Sequence, residues 1–325
     1  MKFPFVFLLA AALASGAPQW AAAADARAER PMAWTTLGTA GGPIIHADRS
    51  QPANLLTAGQ RVWLVDCGDG ALERLAAAGY QPSRVGAVFI SHLHQDHVGG
   101  LQGVIGLRWM QVAPGTLTIY GPPGTDEVVD GILRSLQPSH LVSAEDVGGG
   151  RGARTPADTV RVVILKDGSD VDVEGVRVRA ARNSHFDGPV ARIGTESLSL
   201  RFDLDGQGIG YTGDTGESAA VARLFKGVEL MVSEVIDLDG IVANLNGPAS
   251  PMPPQVRPAL IDHLKKHHLT PAQAGAIAAE AGARRLVFTH LGIAAAFQQS
   301  APALAAGART TFGGDVFVAR DLDRF

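Results

Sequence analysis

The chain has 325 residues, and 28 Lys and Arg against 32 Asp and Glu give it a formal net charge of −4. With a sequence pI near 6.2, this balance excludes a protein-wide basic field, so we expect no nucleic-acid partner. The single cysteine, Cys67, cannot form an internal disulfide, which excludes a fold held together by disulfides.

The first 24 residues have the composition of a secretory signal peptide. Residues 1–15 combine one positive charge with an apolar run, and the three alanines before Asp25 form a small-residue cleavage site. This run is short and alanine-rich, and no other stretch reaches about 18 apolar residues, so we expect no membrane span in the mature protein. The segment predicts a periplasmic or secreted protein whose single domain occupies residues 25–325.

Hydrophobic periodicity along the rest of the chain predicts alternating strands and helices. Strands are expected at residues 61–66, 86–90, 117–120, 161–165, 172–180, 197–203 and 285–288. Helices are expected at residues 70–79, 126–136 and 271–281. Two segments without clear periodicity, residues 148–154 and 236–262, are expected to be long loops that read the substrate. The pattern indicates an α/β fold.

The strongest chemical signal lies between Ser91 and Gly99, directly after the apolar strand expected at residues 86–90. Four potential metal ligands fall within six positions: His92, His94, Asp96 and His97. In an extended stretch alternate side chains share a face, so the first two histidines can bind one ion. The turn that follows can then direct the aspartate and the last histidine toward a second ion. Imidazole with carboxylate suits zinc, iron or manganese.

This His-x-His-x-Asp-His spacing resembles the hallmark of the metallo-β-lactamase-fold hydrolase superfamily. The resemblance implies a four-layer αββα sandwich and requires three further ligands, which the sequence supplies in order as His185, Asp214 and His290. One metal would then be held by His92, His94 and His185, and the other by Asp96, His97 and His290. Asp214 would bridge them. The expected cofactors are two divalent ions, with zinc expected and manganese or iron as alternatives.

The resemblance also implies supporting and catalytic roles. An aspartate in the segment Asp66 to Asp69 would support the metal loop from behind, while Asp69 itself is interpreted as a structural residue. Glu234 and His268 resemble the Glu of the His-Glu-Ala segment and the His of the His-Ser-Thr segment in the ribonuclease Z and arylsulfatase-like branch. This pair would protonate the leaving oxygen, because a neighbouring carboxylate raises the fraction of imidazolium. The adjacent His267 leaves the choice of histidine open.

Two divalent ions about 3.5–4 Å apart can share a hydroxide at neutral pH, and that hydroxide is the expected nucleophile. Asp96 can hold one metal and also orient the hydroxide. The chain is thus expected to be a secreted metal-dependent hydrolase that cleaves a small anionic ester, either a phosphodiester or an aryl sulfate. β-Lactam, lactone or carboxylic ester hydrolysis is an alternative, although common β-lactamases of this fold have Cys or Ser where this chain has Asp214.

Two further alternatives and the oligomeric state stay open. A ribonuclease Z-type endoribonuclease needs an arm to grip tRNA, and only 28 residues separate His185 from Asp214, which leaves no room for one. Together with the export signal and the acidic charge balance, this disfavours tRNA. A metal-dependent binding protein without catalysis is the remaining alternative. Dimers are common in the superfamily, so a homodimer is compatible with the sequence.

Overall fold

The computed structural model describes residues 31–146, 154–188 and 193–325. Residues from Met32 to Phe325 form one compact unit. The expected signal peptide, residues 1–24, lies outside the described residues, as does most of the expected loop at residues 148–154. Within the described ranges, no helix combines the length and the apolar composition needed to cross a membrane.

Two sheets form the centre of the described structure. The first contains β1 (Ala33–Gly38), β2 (Ala53–Ala58), β3 (Arg61–Cys67), β4 (Ala87–Phe89), β5 (Leu117–Gly121) and β6 (Val160–Ile164), in that order. The second contains β7 (Asp170–Val173), β8 (Val176–Arg182), β9 (Leu198–Leu204), β10 (Gln207–Tyr211), β11 (Leu230–Ile236), β12 (Arg285–Gly292) and β13 (Asp315–Val318), again in chain order. In the first sheet, β1 to β3 pair antiparallel and β3 to β6 pair parallel. In the second sheet, β7 to β10 pair antiparallel and β10 to β13 pair parallel.

Helices cover the outer faces of both sheets. The α-helices of the described residues are α1 (Ala71–Ala77), α2 (Gln95–Val98), α3 (Leu101–Met110), α4 (Thr125–Asp146), α5 (Ala219–Leu224), α6 (Leu238–Asn246), α7 (Arg257–His267), α8 (Pro271–Ala281) and α9 (Phe297–Arg309). An apolar cluster from α1, α3 and α4 packs on the first sheet, and one from α5, α8 and α9 packs on the second. A third cluster lies between the sheets, where Phe202 meets Trp34 and Phe89. The predicted four-layer αββα sandwich is confirmed.

Two predictions of local structure are wrong. Residues 172–180 form a hairpin of β7 and β8, because the chain turns at Glu174 and Gly175, both with positive φ. The segment at residues 236–262 contains α6 and most of α7 rather than a long loop. In α6 the apolar residues Leu238, Ile241, Val242 and Leu245 recur at helical spacing, a signal that the prediction missed, and neither helix has a buried residue.

The parallel topology determines where the chemical groups meet. In such sheets, ligands bind at the carboxyl ends of the strands. Strand β4 leads into the motif at Ser91, β10 into Asp214, and β12 contains His290 near its carboxyl end. Strand β8 leads to His185, and β11 carries Glu234. The predicted site residues therefore converge at one edge of the sandwich.

Candidate metal centre

The first group of side chains that could hold a metal contains His92, His94, His185 and Asp214. His94 Nδ1 lies 3.1 Å from His92 Nε2 and 3.2 Å from His185 Nε2. Asp214 Oδ2 lies 3.8 Å from His92 Nε2 and 3.9 Å from His185 Nε2. A tetrahedral ion with ligands at about 2.0–2.2 Å requires ligand-to-ligand distances of about 3.3–3.6 Å. The group has about the size of one such coordination shell.

The second group contains Asp96, His97 and His290. Asp96 Oδ2 lies 3.6 Å from both His97 Nε2 and His290 Nε2. Asp214 approaches this group as well, with its Oδ1 at 3.4 Å from His97 Nε2 and its Oδ2 at 3.1 Å from His290 Nε2. The Asp214 carboxylate therefore lies between both groups, in the position that a bridging ligand would need.

Unsatisfied polar atoms provide an independent test of this fit. Among the described residues, His97 Nε2, His290 Nε2 and Asp214 Oδ1 are buried without a hydrogen-bond partner. Buried polar atoms are rarely left unpaired, because each costs about 1–3 kcal/mol. All three atoms face the space between the two groups, and cations there would satisfy them. The donor set and its spacing fit a pair of divalent ions.

Asp66 holds the metal loop from below. Its Oδ1 accepts from the Ser91 N–H at 2.7 Å, and its Oδ2 accepts from Ser91 Oγ, His97 Nδ1 and Tyr211 OH, each at 2.7 Å. Because Ser91 Oγ donates to Asp66, it accepts from His92 Nδ1, which lies 3.0 Å away. His92 and His97 thus each carry a proton on Nδ1, so Nε2 is the atom that each would offer to an ion.

Charge within the site agrees with this arrangement. Although burial alone would raise the pKa of Asp214, the imidazoles of His290 and His97 hold it well below its usual range. Burial works to lower the pKa of His97, but Asp214 and Asp66 raise it to about 10. Burial lowers the pKa of His185 to about 3. Without ions the two groups hold together through these charges, and divalent cations would take the place of the protons.

Glu234 and His268 form a buried pair beside both groups, with the His268 ring centroid 4.9 Å from that of His185 and 6.1 Å from that of His290. His268 Nδ1 lies 2.9 Å from Glu234 Oε2, and Glu234 Oε1 accepts from the Thr215 N–H at 2.8 Å. Burial works to lower the pKa of His268, but the charge and hydrogen bond of Glu234 raise it. His267 points elsewhere, because its Nδ1 donates to the Ser184 carbonyl at 2.8 Å. Of the two adjacent histidines, the structure pairs His268 with the glutamate.

Local backbone geometry brings these groups close together. Asp66 and His290 both have positive φ, 54° and 44°, a conformation that L-residues rarely adopt. Gly68 lies against the backbone of the motif, where a Cβ would come within 2.1 Å of the Asp96 carbonyl oxygen. The loop after β3 can therefore approach α2 only with glycine at this position.

Several residues around the site were not predicted. Tyr211 and Thr215 contribute hydrogen bonds to Asp66 and Glu234, but each reads in the sequence as part of an ordinary strand or turn. His263 on α7 also lies here, and its ring centroid is 5.6 Å from that of His185 and 5.5 Å from that of His268. The only sequence signal for it was its spacing of four residues from His267, which places both on one helix face.

Comparison with known proteins identifies the fold and close relatives. A family model described as "Beta-lactamase superfamily domain" matches residues 61–291. Ribonuclease Z of Mycobacterium marinum is 34% identical over 298 residues, covering 89% of this chain and 96% of the relative. Ribonuclease Z of Mycobacterium avium is 36% identical over 301 residues, with the same coverage.

Solved structures agree on the fold. The metallo-β-lactamase fold protein YhfI from Bacillus subtilis superposes with a TM-score of 0.65 at 22% identity, covering 90% of this chain and 98% of that protein. The short form of human tRNase Z superposes with a TM-score of 0.60 at 23% identity, with the same coverage. At these identities the likeness shows the fold alone.

These relatives overturn two expectations: that the chain hydrolyses a small anionic ester, and that no nucleic acid is involved. Proteins named ribonuclease Z match it over 89% of its length. The absence of room for an arm does not outweigh this match, because the alignment with the M. marinum relative covers 96% of that relative. The acidic net charge does not exclude an RNA substrate, because a sum over the chain says nothing about the surface around the site.

The chain belongs to the metallo-β-lactamase superfamily of metal-dependent hydrolases and is a homologue of proteins named ribonuclease Z.

Proposed function

We propose that this chain is a metal-dependent endoribonuclease of the ribonuclease Z type, with a structured RNA such as a precursor tRNA as its substrate. The observation that carries this proposal is the match to ribonuclease Z relatives over almost their entire length. The geometry supports it, because the Glu234–His268 pair lies beside two groups that could hold metals. A phosphodiester hydrolase needs both elements: cations to neutralise the phosphate and an acid for the leaving oxygen.

Seven side chains would hold the cations in this proposal: His92, His94, Asp96, His97, His185, Asp214 and His290. Zinc is the proposed metal, because imidazole and carboxylate ligands at tetrahedral spacing suit it. When bound, two such ions would supply an activated water for attack and neutralise charge on the phosphodiester. Asp66 keeps His97 in the tautomer that offers Nε2. Asp96, part of the second group yet less buried than Asp214, can accept a hydrogen bond from the attacking water.

His268 is the proposed proton donor. Because its Nδ1 is held by Glu234, its Nε2 is the atom left to face the reacting phosphate. Glu234 raises the pKa of His268, which favours its protonated form before attack. It can then pass a proton to the departing ribose oxygen, which would otherwise leave as an unstable alkoxide. Glu234 also accepts from the Thr215 N–H, so the same carboxylate fixes the loop that carries Asp214.

The leaving group of the substrate tests this assignment. We expect His268→Ala to slow cleavage of a precursor tRNA by about 10²–10⁴-fold, the usual contribution of a general acid. The same variant is expected to lose much less activity on a p-nitrophenyl phosphodiester, because p-nitrophenolate leaves without protonation. Equal losses on both substrates would show that His268 does not act as the acid. A wild-type protein that cleaves the p-nitrophenyl diester but no RNA would overturn the proposed function.

The nature of the nucleophile can be tested separately. A water-derived nucleophile does not need the 2′-hydroxyl next to the scissile bond, whereas attack by that hydroxyl does. We therefore expect a precursor tRNA with a single 2′-deoxy substitution at the mapped cleavage site to be cut at nearly the rate of the all-ribose RNA. Complete resistance of the substituted RNA would contradict the mechanism.

A further inference from the structure

The end of α7 is attached directly to the candidate metal centre. The His267 carbonyl accepts from His185 Nδ1 at 2.9 Å, and His267 Nδ1 donates to the Ser184 carbonyl at 2.8 Å. Gly216, two residues after Asp214, lies so close to the last turn of α7 that a Cβ would come within 2.0 Å of the Lys266 carbonyl oxygen. This helix therefore has a fixed position relative to the site, although none of its residues is buried.

His263 lies one helical turn before His267, on the same face of α7. Its half-buried ring contacts the rings of His185, His267 and His268, with centroids 5.6, 5.0 and 5.5 Å away. No hydrogen bond to the His263 ring occurs within the described part of the chain. An imidazole with free nitrogens thus borders the proposed proton donor without a partner of its own.

A third metal ion is a poor explanation for this cluster. His185, His263 and His268 have ligand atoms within 4.8 Å of one another. However, His185 Nε2 faces His94 and Asp214, and its Nδ1 donates to His267. His268 Nδ1 is held by Glu234. Only His263 and one nitrogen of His268 remain, which is fewer than the three protein ligands of an ordinary zinc site.

We propose that His263 binds the RNA on the leaving-group side of the scissile bond, by donating a hydrogen bond to a phosphate or ribose oxygen. This inference rests on the proposed function and deepens it. The side follows from the contact with His268, which protonates the leaving oxygen. The charge of α7 fits an RNA strand, because its eleven residues carry Arg257, Lys265 and Lys266 against the single carboxylate Asp262. Cations along a surface bind a phosphate backbone without sequence preference.

Steady-state and single-turnover kinetics of His263→Ala on a precursor tRNA test this role. A hydrogen bond to a charged phosphate contributes enough to change affinity about 10-fold or more. We therefore expect KM to rise about 10-fold while the single-turnover rate at saturating RNA stays within about twofold of wild type. The zinc content should not change, because His263 is outside the two candidate metal groups. His263→Gln, which keeps an N–H donor, should restore much of the affinity.

His140→Ala is the matched control, because His140 lies on α4 beside Trp109 and away from the site. An unchanged KM in His263→Ala, with wild type cleaving the RNA, would overturn this inference and leave the proposed function intact. A loss of zinc in His263→Ala would also overturn the inference, because it would assign His263 to the metals. A fall in the saturating rate at constant KM would overturn it as well, because it would assign His263 to the chemical step. A wild-type protein that cleaves no RNA would overturn both proposals.

Discussion

Asp66→Asn is the most informative single substitution, because it changes one atom of a group that touches no candidate metal. In the wild type, the two Asp66 oxygens accept four hydrogen bonds, from the Ser91 N–H, Ser91 Oγ, His97 Nδ1 and Tyr211 OH. The two hydroxyls can rotate to accept from an amide NH₂. The Ser91 N–H and the His97 Nδ1–H cannot, so in either orientation of the introduced amide one fixed donor faces another donor.

This conflict between donors sets the expected loss of stability and of metal affinity. A buried donor left without an acceptor costs about 1–3 kcal/mol of stability. When the introduced NH₂ faces His97, the ring can relieve the clash by moving its proton to Nε2, the atom that faces Asp96 and Asp214. Supporting partners of this kind contribute about 10–100-fold to metal affinity, equivalent to about 1.4–2.7 kcal/mol. We therefore expect the second metal to bind about 10–100-fold more weakly.

Metal content by mass spectrometry after dialysis, together with zinc titration of activity, measures this effect. Asp66→Asn should retain about one zinc per chain where wild type retains two, and excess zinc should restore much of its activity. Asp69→Asn is the matched control, because Asp69 is an exposed carboxylate three residues away. Two tightly bound zinc ions and wild-type activity in Asp66→Asn would refute the role given to Asp66.

Three further outcomes are expected. A chelator should lower Tm by on the order of 10 °C, because ions that bind only the folded state stabilise it. Added zinc should restore Tm in the same scanning-fluorimetry experiment, and an unchanged Tm would contradict the metal assignment. Burial and then Asp66 raise the pKa of Cys67 from 9.0 to about 12, so the folded chain keeps this proton and loses stability as pH rises through that window. The thiol should resist a thiol reagent at pH 8 until the chain unfolds, and stoichiometric labelling of native protein would argue against this burial. The signal peptide at residues 1–24 stays a prediction, which intact-mass measurement of exported protein beginning near Asp25 would support and an unprocessed cytosolic chain would contradict.

Sequence reasoning was most successful where a short segment carries its own geometry. The motif from His92 to His97 follows a buried strand, and its spacing alone predicts two groups of ligands. Helix α8 begins at Pro271 and ends at Ala281, the bounds predicted from the sequence, and Thr270 and Gln273 form a capping box at its start. The superfamily pattern alone was enough to identify His185, Asp214 and His290, in that order along the chain, as the remaining candidate ligands.

What the sequence did not predict depends on contacts between distant segments. Tyr211 reaches Asp66 across 145 positions of sequence, and His263 reaches His185 only because α7 packs against the loop at Gly216. The substrate expectation failed for a related reason. Whole-chain charge and the length of one loop do not describe the surface beside the site, where α7 carries three cations.

Zinc titration of the metal-free protein during cleavage of a precursor tRNA tests the central claim most directly. If the two groups joined by Asp214 form one catalytic centre for RNA, activity should be absent without zinc and approach its maximum only as the second equivalent binds. Asp214→Ala should show no comparable rise at any ratio, because it lacks the carboxylate that lies between the groups. Full RNA cleavage in the presence of chelator, or no RNA cleavage at any zinc concentration, would contradict the account.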